Sequence, residues 1–321
     1  MALQATRIRP CQKFEGHIKW IRGVINLPGK QQIMTCSSDG SQRVWALQSG
    51  QQIAVWRDGE RGVNAMALSP DEKKVVTGNS DGSMTLWNID TEKVVATWAG
   101  HTRSVESVCW SRDAERVLSG CCDGTARVWD VENGEVVLEI RTGLSVVWAA
   151  QYSPDMTMIA TAGTSSKEDA FIKIWDANTG KLLCTILNGH SGTVYCLAWG
   201  RTLISGSYDK SIRIWNTTTW HQIACLTGHT NLVHDIAISP NGRILASASL
   251  DGTARLWNLE NPQSIGSPLQ LAKPVSCVLF STDAELLVTG CWDKNAYCWD
   301  LAELTVGKGG PSKLPLNRDV S

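Results

Sequence analysis

Seven tryptophans recur at nearly constant spacing along this 321-residue chain: Trp45, Trp87, Trp129, Trp175, Trp215, Trp257 and Trp299. The gaps between them are 42, 42, 46, 40, 42 and 42 residues. An aspartate stands six residues before every one: Asp39, Asp81, Asp123, Asp169, Asp209, Asp251 and Asp293. A period of about forty residues means a supersecondary unit that cannot bury its own apolar faces and must stack on its neighbours, which makes the chain an array. Four Gly-His pairs give a second phase marker, at His17, His101, His190 and His229. Three of these histidines lie 22 residues before their aspartate (17 to 39, 101 to 123, 229 to 251).

Inside a unit the pattern is short strands separated by turns. Residues 232–238 form a partly alternating run, and Ser239-Pro240-Asn241-Gly242 turns the chain. Residues 244–248 follow, then a turn at Leu250-Asp251-Gly252 and the run Thr253–Trp257. Runs of this length punctuated by Pro, Gly, Asn and Asp read as hairpin-linked strands. A fourth run, such as Val94–Trp98, lies between each Trp and the next unit. Four strands per forty residues is the pattern of a propeller blade. The irregular gaps fall in turns: unit 4 has about four extra residues between Thr161 and Asp169, and unit 5 loses three after Trp199.

Gly-His, then Ser/Thr-x-x-x-Asp, then Trp-Asp or a near variant, seven times over, resembles the WD40-repeat family from about residue 5 to 301. Trp-Asp itself stands at Trp129-Asp130, Trp175-Asp176 and Trp299-Asp300; Asn follows Trp87, Trp215 and Trp257, and Ala46 follows Trp45. The resemblance implies an all-β, seven-bladed propeller of four-stranded antiparallel blades, a platform for partners without catalysis of its own. Gly59, Gly143 and Leu271 occupy the His position of blades 2, 4 and 7, so those blades are expected to lack one hydrogen-bonding member and to be less stable. The seventh unit ends at its third strand, and Phe14 sits three before His17 as Trp98, Leu187 and Leu226 sit three before theirs. The N-terminal strand, about residues 7–15, is therefore expected to complete blade 7 and close the ring. The domain is expected to span 1–301, followed by a flexible tail at 302–321.

Each unit holds His, Ser or Thr, Asp and Trp, which superficially matches a hydrolase triad. Thr35, Thr77, Ser119, Ser205, Ser247 and Thr289 each stand four before their aspartate, with Thr161 filling the role in blade 4. A triad needs one exposed set; a set repeated blade after blade reads as a buried relay from Trp Nε1–H through hydroxyl and imidazole to carboxylate. Eleven cysteines, without CxxC pairs, read as reduced core residues, and neither a metal nor a cofactor is expected. There is no GxxxxGK[ST] or GxGxxG loop for a nucleotide. Thirty Lys+Arg against 31 Asp+Glu, net −1, gives no field to gather nucleic acid or a membrane surface. Residues 1–7 carry no apolar run of the secretory kind, so a cytoplasmic or nuclear protein is expected.

Function must then sit on one rim. The link into each blade and the turn between its second and third strands open on the same side, and three slots per blade face it. Read along the chain, these slots hold Trp20, Arg22 and Ser38; Gly62, Asn64 and Ser80; Ser104, Glu106 and Cys122; and Val146, Trp148 and Glu168. They continue with Thr193, Tyr195 and Tyr208; Leu232, His234 and Leu250; and Pro274, Ser276 and Trp292. Blades 4–7 and 1 supply aromatic and apolar residues, while blades 2 and 3 supply small or polar ones. Trp, Tyr and Arg dominate binding hot spots. The expected surface for a protein or peptide partner is Trp20, Arg22, Glu106, Trp148, Tyr195, Tyr208, Leu232, His234, Leu250 and Trp292, with Arg22 and Glu106 orienting the partner and the chain a monomer within a larger complex. A narrower reading is a channel-mouth reader of peptide ends or modified residues, with Tyr195 and Trp148 clamping a cation. A sensor propeller of a signalling complex is another alternative. A propeller hydrolase fits less well, because Glu106, Glu168, His234 and Asn64 are separated by blades.

Overall fold

The computed structural model describes residues 8–27, 29, 31–165, 171–186 and 189–302. Among them there are 28 strands and no helix. The strands form seven four-stranded antiparallel sheets, each ordered as in the chain except the last. Blade 1 shows the unit: Ile21–Leu27, Gln32–Ser37, Ser41–Ala46 and Gln52–Arg57, running from the centre of the ring outward.

Blade 7 contains Val275–Phe280, Leu286–Cys291 and Ala296–Asp300, and its outer strand is Gln12–Phe14 from the other end of the chain. The register is Gln12 to Cys298, Lys13 to Tyr297 and Phe14 to Ala296. The N-terminal strand thus closes the ring, and Phe14 is wholly buried at that seam.

Seven hydrophobic clusters fill the seven seams between blades, and each contains one of the seven periodic tryptophans. The indole always comes from the blade that follows the seam: Trp45 lies with Phe14 and Cys298 of blade 7, and Trp87 with Trp56 of blade 1. The period is therefore a packing period, since a sheet covered on both faces by neighbours needs one large filler per seam. Trp110 and Trp199 are also buried, and Trp110 Nε1 donates to the Ala67 carbonyl of the preceding blade at 3.0 Å.

The turns after the second strands are tight. Gly40, Gly82, Gly124 and Gly252 adopt φ of 80–89°, a region open to glycine at low cost. Lys210 and Lys294 take the same position in blades 5 and 7 with φ of 71° and 78°. The extra residues of blade 4 fall between its strands Met158–Thr164 and Ile172–Asp176, where 166–170 lie outside the described residues.

Candidate functional site

The repeated polar set forms the relay that its spacing implies. In blade 1, Trp45 Nε1 donates to Thr35 Oγ1 at 2.8 Å, His17 Nε2 meets the same oxygen at 2.8 Å, and His17 Nδ1 meets Asp39 Oδ2 at 2.9 Å. Blade 3 repeats this with Trp129, Ser119, His101 and Asp123. Blade 5 does so with Trp215, Ser205, His190 and Asp209, and blade 6 with Trp257, Ser247, His229 and Asp251. One arrangement satisfies every atom: the indole donates to the hydroxyl, the hydroxyl to a neutral imidazole, and Nδ1–H to the carboxylate. Burial lowers the pKa of His17, His101 and His190 against the opposing pull of their aspartates. Burial alone would raise Asp39, but hydrogen bonds from His17, Ser41 and the Ile18 amide hold it well below the usual carboxylate range. The hydroxyls are buried and already bonded on both sides, so none is placed to attack a substrate.

Blades 2 and 7, without the Gly-His pair, lack the imidazole bridge between hydroxyl and carboxylate, although other side chains bond their aspartates. In blade 7 the Tyr297 hydroxyl donates to Asp293 Oδ2 at 2.6 Å, while Trp299 still reaches Thr289 at 3.0 Å. In blade 2, Arg61 pairs with Asp58 and with Asp81, Asp58 accepts from Thr85, and Trp87 reaches Thr77 at 3.4 Å. In blade 4, Trp175 donates to Thr161 at 2.8 Å; Asp169 lies outside the described residues. Tyr297 and Arg61 supply the aspartates of blades 7 and 2 with a donor, but neither reaches the strand-two hydroxyl, so the relay stays open there.

Among the described residues, one group has the look of a metal site. His101, Cys121 and Asp123 bring three donor atoms within 4.8 Å of one another. Cys121 stands where blades 1, 5 and 6 have Ser37, Ser207 and Ser249, and makes the same bonds: its thiol donates to the Arg103 carbonyl and accepts from the Asp123 amide. Burial pushes this thiol up to about 12, away from the thiolate a metal needs. These donors belong to the relay.

The rim slots also form as a unit. In six blades the residue before the turn aspartate donates its amide to the carbonyl of the first slot: Ser38 to Trp20, Ser80 to Gly62, Cys122 to Ser104, Tyr208 to Thr193, Leu250 to Leu232 and Trp292 to Pro274. The seventh case would involve Glu168, outside the described residues. The middle slot is a β-bulge in every blade. Register shifts between Ile21 and Gly23, Val63 and Ala65, Val105 and Ser107, Val147 and Ala149, Val194 and Cys196, Val233 and Asp235, and Val275 and Cys277. A bulge re-aims the extra side chain, and all seven bulged residues line one central cavity of about 230 Å³.

That channel mouth has two unlike halves. On the side of blades 1–3, Arg22 Nη2 donates to Glu106 Oε2 at 2.6 Å, and Ser104, Asn64 and Cys122 all direct donors at Glu106 Oε1. Arg22 and Glu106 are thus engaged with each other, forming a strut from blade 1 to blade 3 instead of two free orienting charges. On the side of blades 4–6, Trp148 stacks on Tyr195 at 4.9 Å and Tyr195 on His234 at 6.1 Å, with interplanar angles of 30° and 26°. Two rings in mutual contact leave no slot between them for a cation, so the clamp expected of Trp148 and Tyr195 is not formed. Trp148 Nε1 donates to Thr164 Oγ1, and His234 Nδ1 donates to the Ser276 carbonyl at 2.7 Å. Burial, with Arg22 nearby, lowers the His234 pKa to about 4.

The remaining expected residues separate. Trp20 lies flat on Trp292 across the seam of blades 1 and 7, centroids 4.2 Å apart and 3° from parallel. Trp20 stays 45% exposed and Tyr208, on blade 5, 61%. Leu250 is partly buried. Leu232 is buried at 5% exposure and is not a contact surface; it sits inside its turn with its amide bonded to Asn231. The sequence reading missed Asp235, which lines the channel in a slot where the other blades carry Gly23, Ala65, Ser107, Ala149, Cys196 and Cys277. Its oxygens accept the Ile236 and Val278 amides, tying blade 6 to blade 7, and burial pushes its carboxyl up to about 7. An acid in a column of small residues was the available signal. Exposed aliphatics such as Ile53, Val95, Val137, Leu183 and Ile223 also occur, but one blade at a time around the outer strands.

A closed ring of four-stranded blades, keyed by indole-to-carboxylate relays and gathering its side chains at a bulge-lined channel, defines a β-propeller repeat protein. The family model for the WD domain, G-beta repeat, matches seven stretches, 8–45, 50–88, 92–130, 137–176, 180–216, 220–258 and 267–300, and the chain belongs to the WD40-repeat family. Protein HIRA of Dictyostelium discoideum is 36% identical over 125 residues, 31% of this chain and 11% of that protein. Nuclear distribution protein PAC1 of Arthroderma otae is 37% identical over 90 residues, 24% of this chain and 19% of its own. Small ribosomal subunit protein RACK1y of Oryza sativa subsp. japonica is 37% identical over 59 residues, 17% of this chain and 18% of its own. The matches therefore span at most about a fifth of these curated relatives. Among solved structures, the WD40 β-propeller domain of Doa1 superposes with a TM-score of 0.80 at 23% identity, covering 91% of this chain and 96% of that one, which shows the shared fold.

Proposed function

We propose that the ring is a non-catalytic scaffold that binds a protein or peptide partner on the rim and channel mouth. The observation that carries this reading is the asymmetry of the mouth. The polar half is tied together by bonds to Glu106, whereas the aromatic half presents Trp148, Tyr195 and His234, with Tyr208 and Trp20 exposed on the same rim. Exposed aromatic residues gathered on one face have a binding use more often than not. The cavity is smaller than the roughly 300–1,000 Å³ of a small-molecule site and suits one inserted side chain or peptide end of a larger partner. Relatives named for nuclear distribution and for the ribosome point to work inside larger assemblies. We place that work in the cytoplasm or nucleus.

The double variant Trp20→Ala/Tyr208→Ala removes the two most exposed rim aromatics, leaving the buried seam clusters intact and giving up only the Trp20–Trp292 stack between blades 1 and 7. Partner capture from native lysate should fall at least tenfold relative to the parent, as expected for losing hot-spot residues, with the thermal midpoint lowered by no more than a few degrees for the lost stack, worth about 0.5–1.5 kcal/mol. Capture that matches the parent would refute the rim as the docking face.

A further inference from the structure

We propose that Cys11 and Cys298 are an oxidative modification site, where a disulfide closes the propeller ring covalently. The backbone already holds the two residues together. The Cys11 amide donates to the Cys298 carbonyl at 2.8 Å, and the adjacent Gln12 pairs with Cys298 in the ladder. Gln12, not Cys11, directly faces Cys298, but the 2.8 Å N–H···O=C bond between the two cysteines holds their Cα atoms within about 6.7 Å of each other, inside the roughly 4.4–6.8 Å that a disulfide spans. The side chains agree. Cys11 Sγ turns toward the partner strand and donates to the Cys298 carbonyl at 3.3 Å. The Cys298 thiol, held high mainly by burial, also feels the Cys11 thiol through charge and hydrogen bonding.

Access selects the same pair. Of the eleven cysteines only Cys11 and Cys225 are exposed. Burial pushes others, such as Cys122 and Cys291, up to about 12, which suppresses direct attack on an external oxidant; Cys298 is buried and raised in the same way and enters the reaction only through the exposed Cys11 beside it. Cys225 faces Arg213 across its ladder, so only Cys11 joins an open surface to a second thiol.

The oxidant is a small-molecule disulfide. The Cys11 thiolate attacks one of its sulfurs, forming a mixed disulfide and releasing one thiol. Cys298 then gives its proton to solvent, attacks the Cys11 sulfur and expels the second thiol. Two protein thiols are oxidised and one small disulfide is reduced to two thiols. Capping Cys11 also removes the neighbouring charge that opposes ionisation of Cys298. The new bond lies at the ring's closure, where Gln12–Phe14 pairs with Ala296–Asp300. Opening the ring requires peeling away only that three-residue strand, so a bond there blocks the shortest route to opening.

The test treats the full chain with oxidised glutathione, caps free thiols with N-ethylmaleimide and maps the digest by mass spectrometry without reduction. The expected product is a peptide pair linked through Cys11 and Cys298, with a thermal midpoint raised by about 5 °C and restored by a phosphine reductant. Cys11→Ser should lose the link and the shift, while Cys225→Ser keeps both. Glutathione retained on Cys11 beside an unlinked Cys298, a link that leaves the midpoint unmoved, or a shift that survives in Cys11→Ser would each overturn the proposal.

Discussion

Asp123 shows what one residue carries in this ring. Its carboxylate receives His101, the Thr102 amide and both the amide and hydroxyl of Thr125, tying the link into blade 3 to the turn between its second and third strands. Asp123→Ala leaves those donors without an acceptor, and each buried unsatisfied group costs about 1–3 kcal/mol. We expect a loss in that range by denaturant unfolding, with partner capture retained below the transition. This network was legible because its members lie 10 to 24 residues apart in a repeating pattern. Tyr297 and Arg61 were not legible, since each bonds its blade's aspartate from a different strand or loop, and no spacing announces such a partner.

Among the elements, the three-residue strand Gln12–Phe14 is the most consequential for its size. It supplies the fourth strand of blade 7, and its Phe14 packs at 5.8 Å on Trp45 in the closing seam. Deleting residues 1–15 exposes the edge of Ala296–Asp300 and empties the Phe14 site. A buried Phe is worth about 3–5 kcal/mol, which alone corresponds to a fall in thermal midpoint of about 10 °C. A truncated chain that melts with the parent would show that the strand does not hold the ring shut. The element that sequence reading located without understanding is the inner strand. Its fifth position after the His slot was assigned to the rim, but the reason that position enters the channel is a bulge, and bulges leave no mark in hydropathy.

The whole molecule should respond to acid in a definite direction. The lowered pKa values of His17, His101 and His190, and of Asp39, Asp123, Asp209 and Asp251, all mean that the folded ring binds fewer protons than the unfolded chain. Stability should therefore decline as pH drops below about 6.5, where the imidazoles begin to charge in the unfolded chain, and decline faster below about 4 as the carboxylates follow. Asp235 acts oppositely: with its carboxyl raised to about 7, it favours the folded state at low pH and loses that contribution as pH rises through 7. With His234, also lowered, eight groups outweigh one, so thermal midpoints measured from pH 8 to pH 4 should fall overall, with little slope near pH 8 and a steeper one below about 6.5. A midpoint that climbs toward pH 4 would contradict the neutral-imidazole relay.

What the sequence determined by itself is everything encoded within one unit: seven blades, their four strands, the relay, and the strand that completes the last blade. The blades, strands and relay depend on contacts within about forty residues and repeat until they are unmistakable, while the closing strand, paired with the far end of the chain, was legible because the run that precedes each Gly-His also precedes His17. Tertiary structure alone decided what the rim side chains do to one another. Arg22 and Glu106 are 84 residues apart, Trp20 and Trp292 are 272 apart, and both pairs meet only because a closed ring brings separate blades around one axis. A repeat can state where each side chain sits within its blade, but the distance across the channel is a property of the circle.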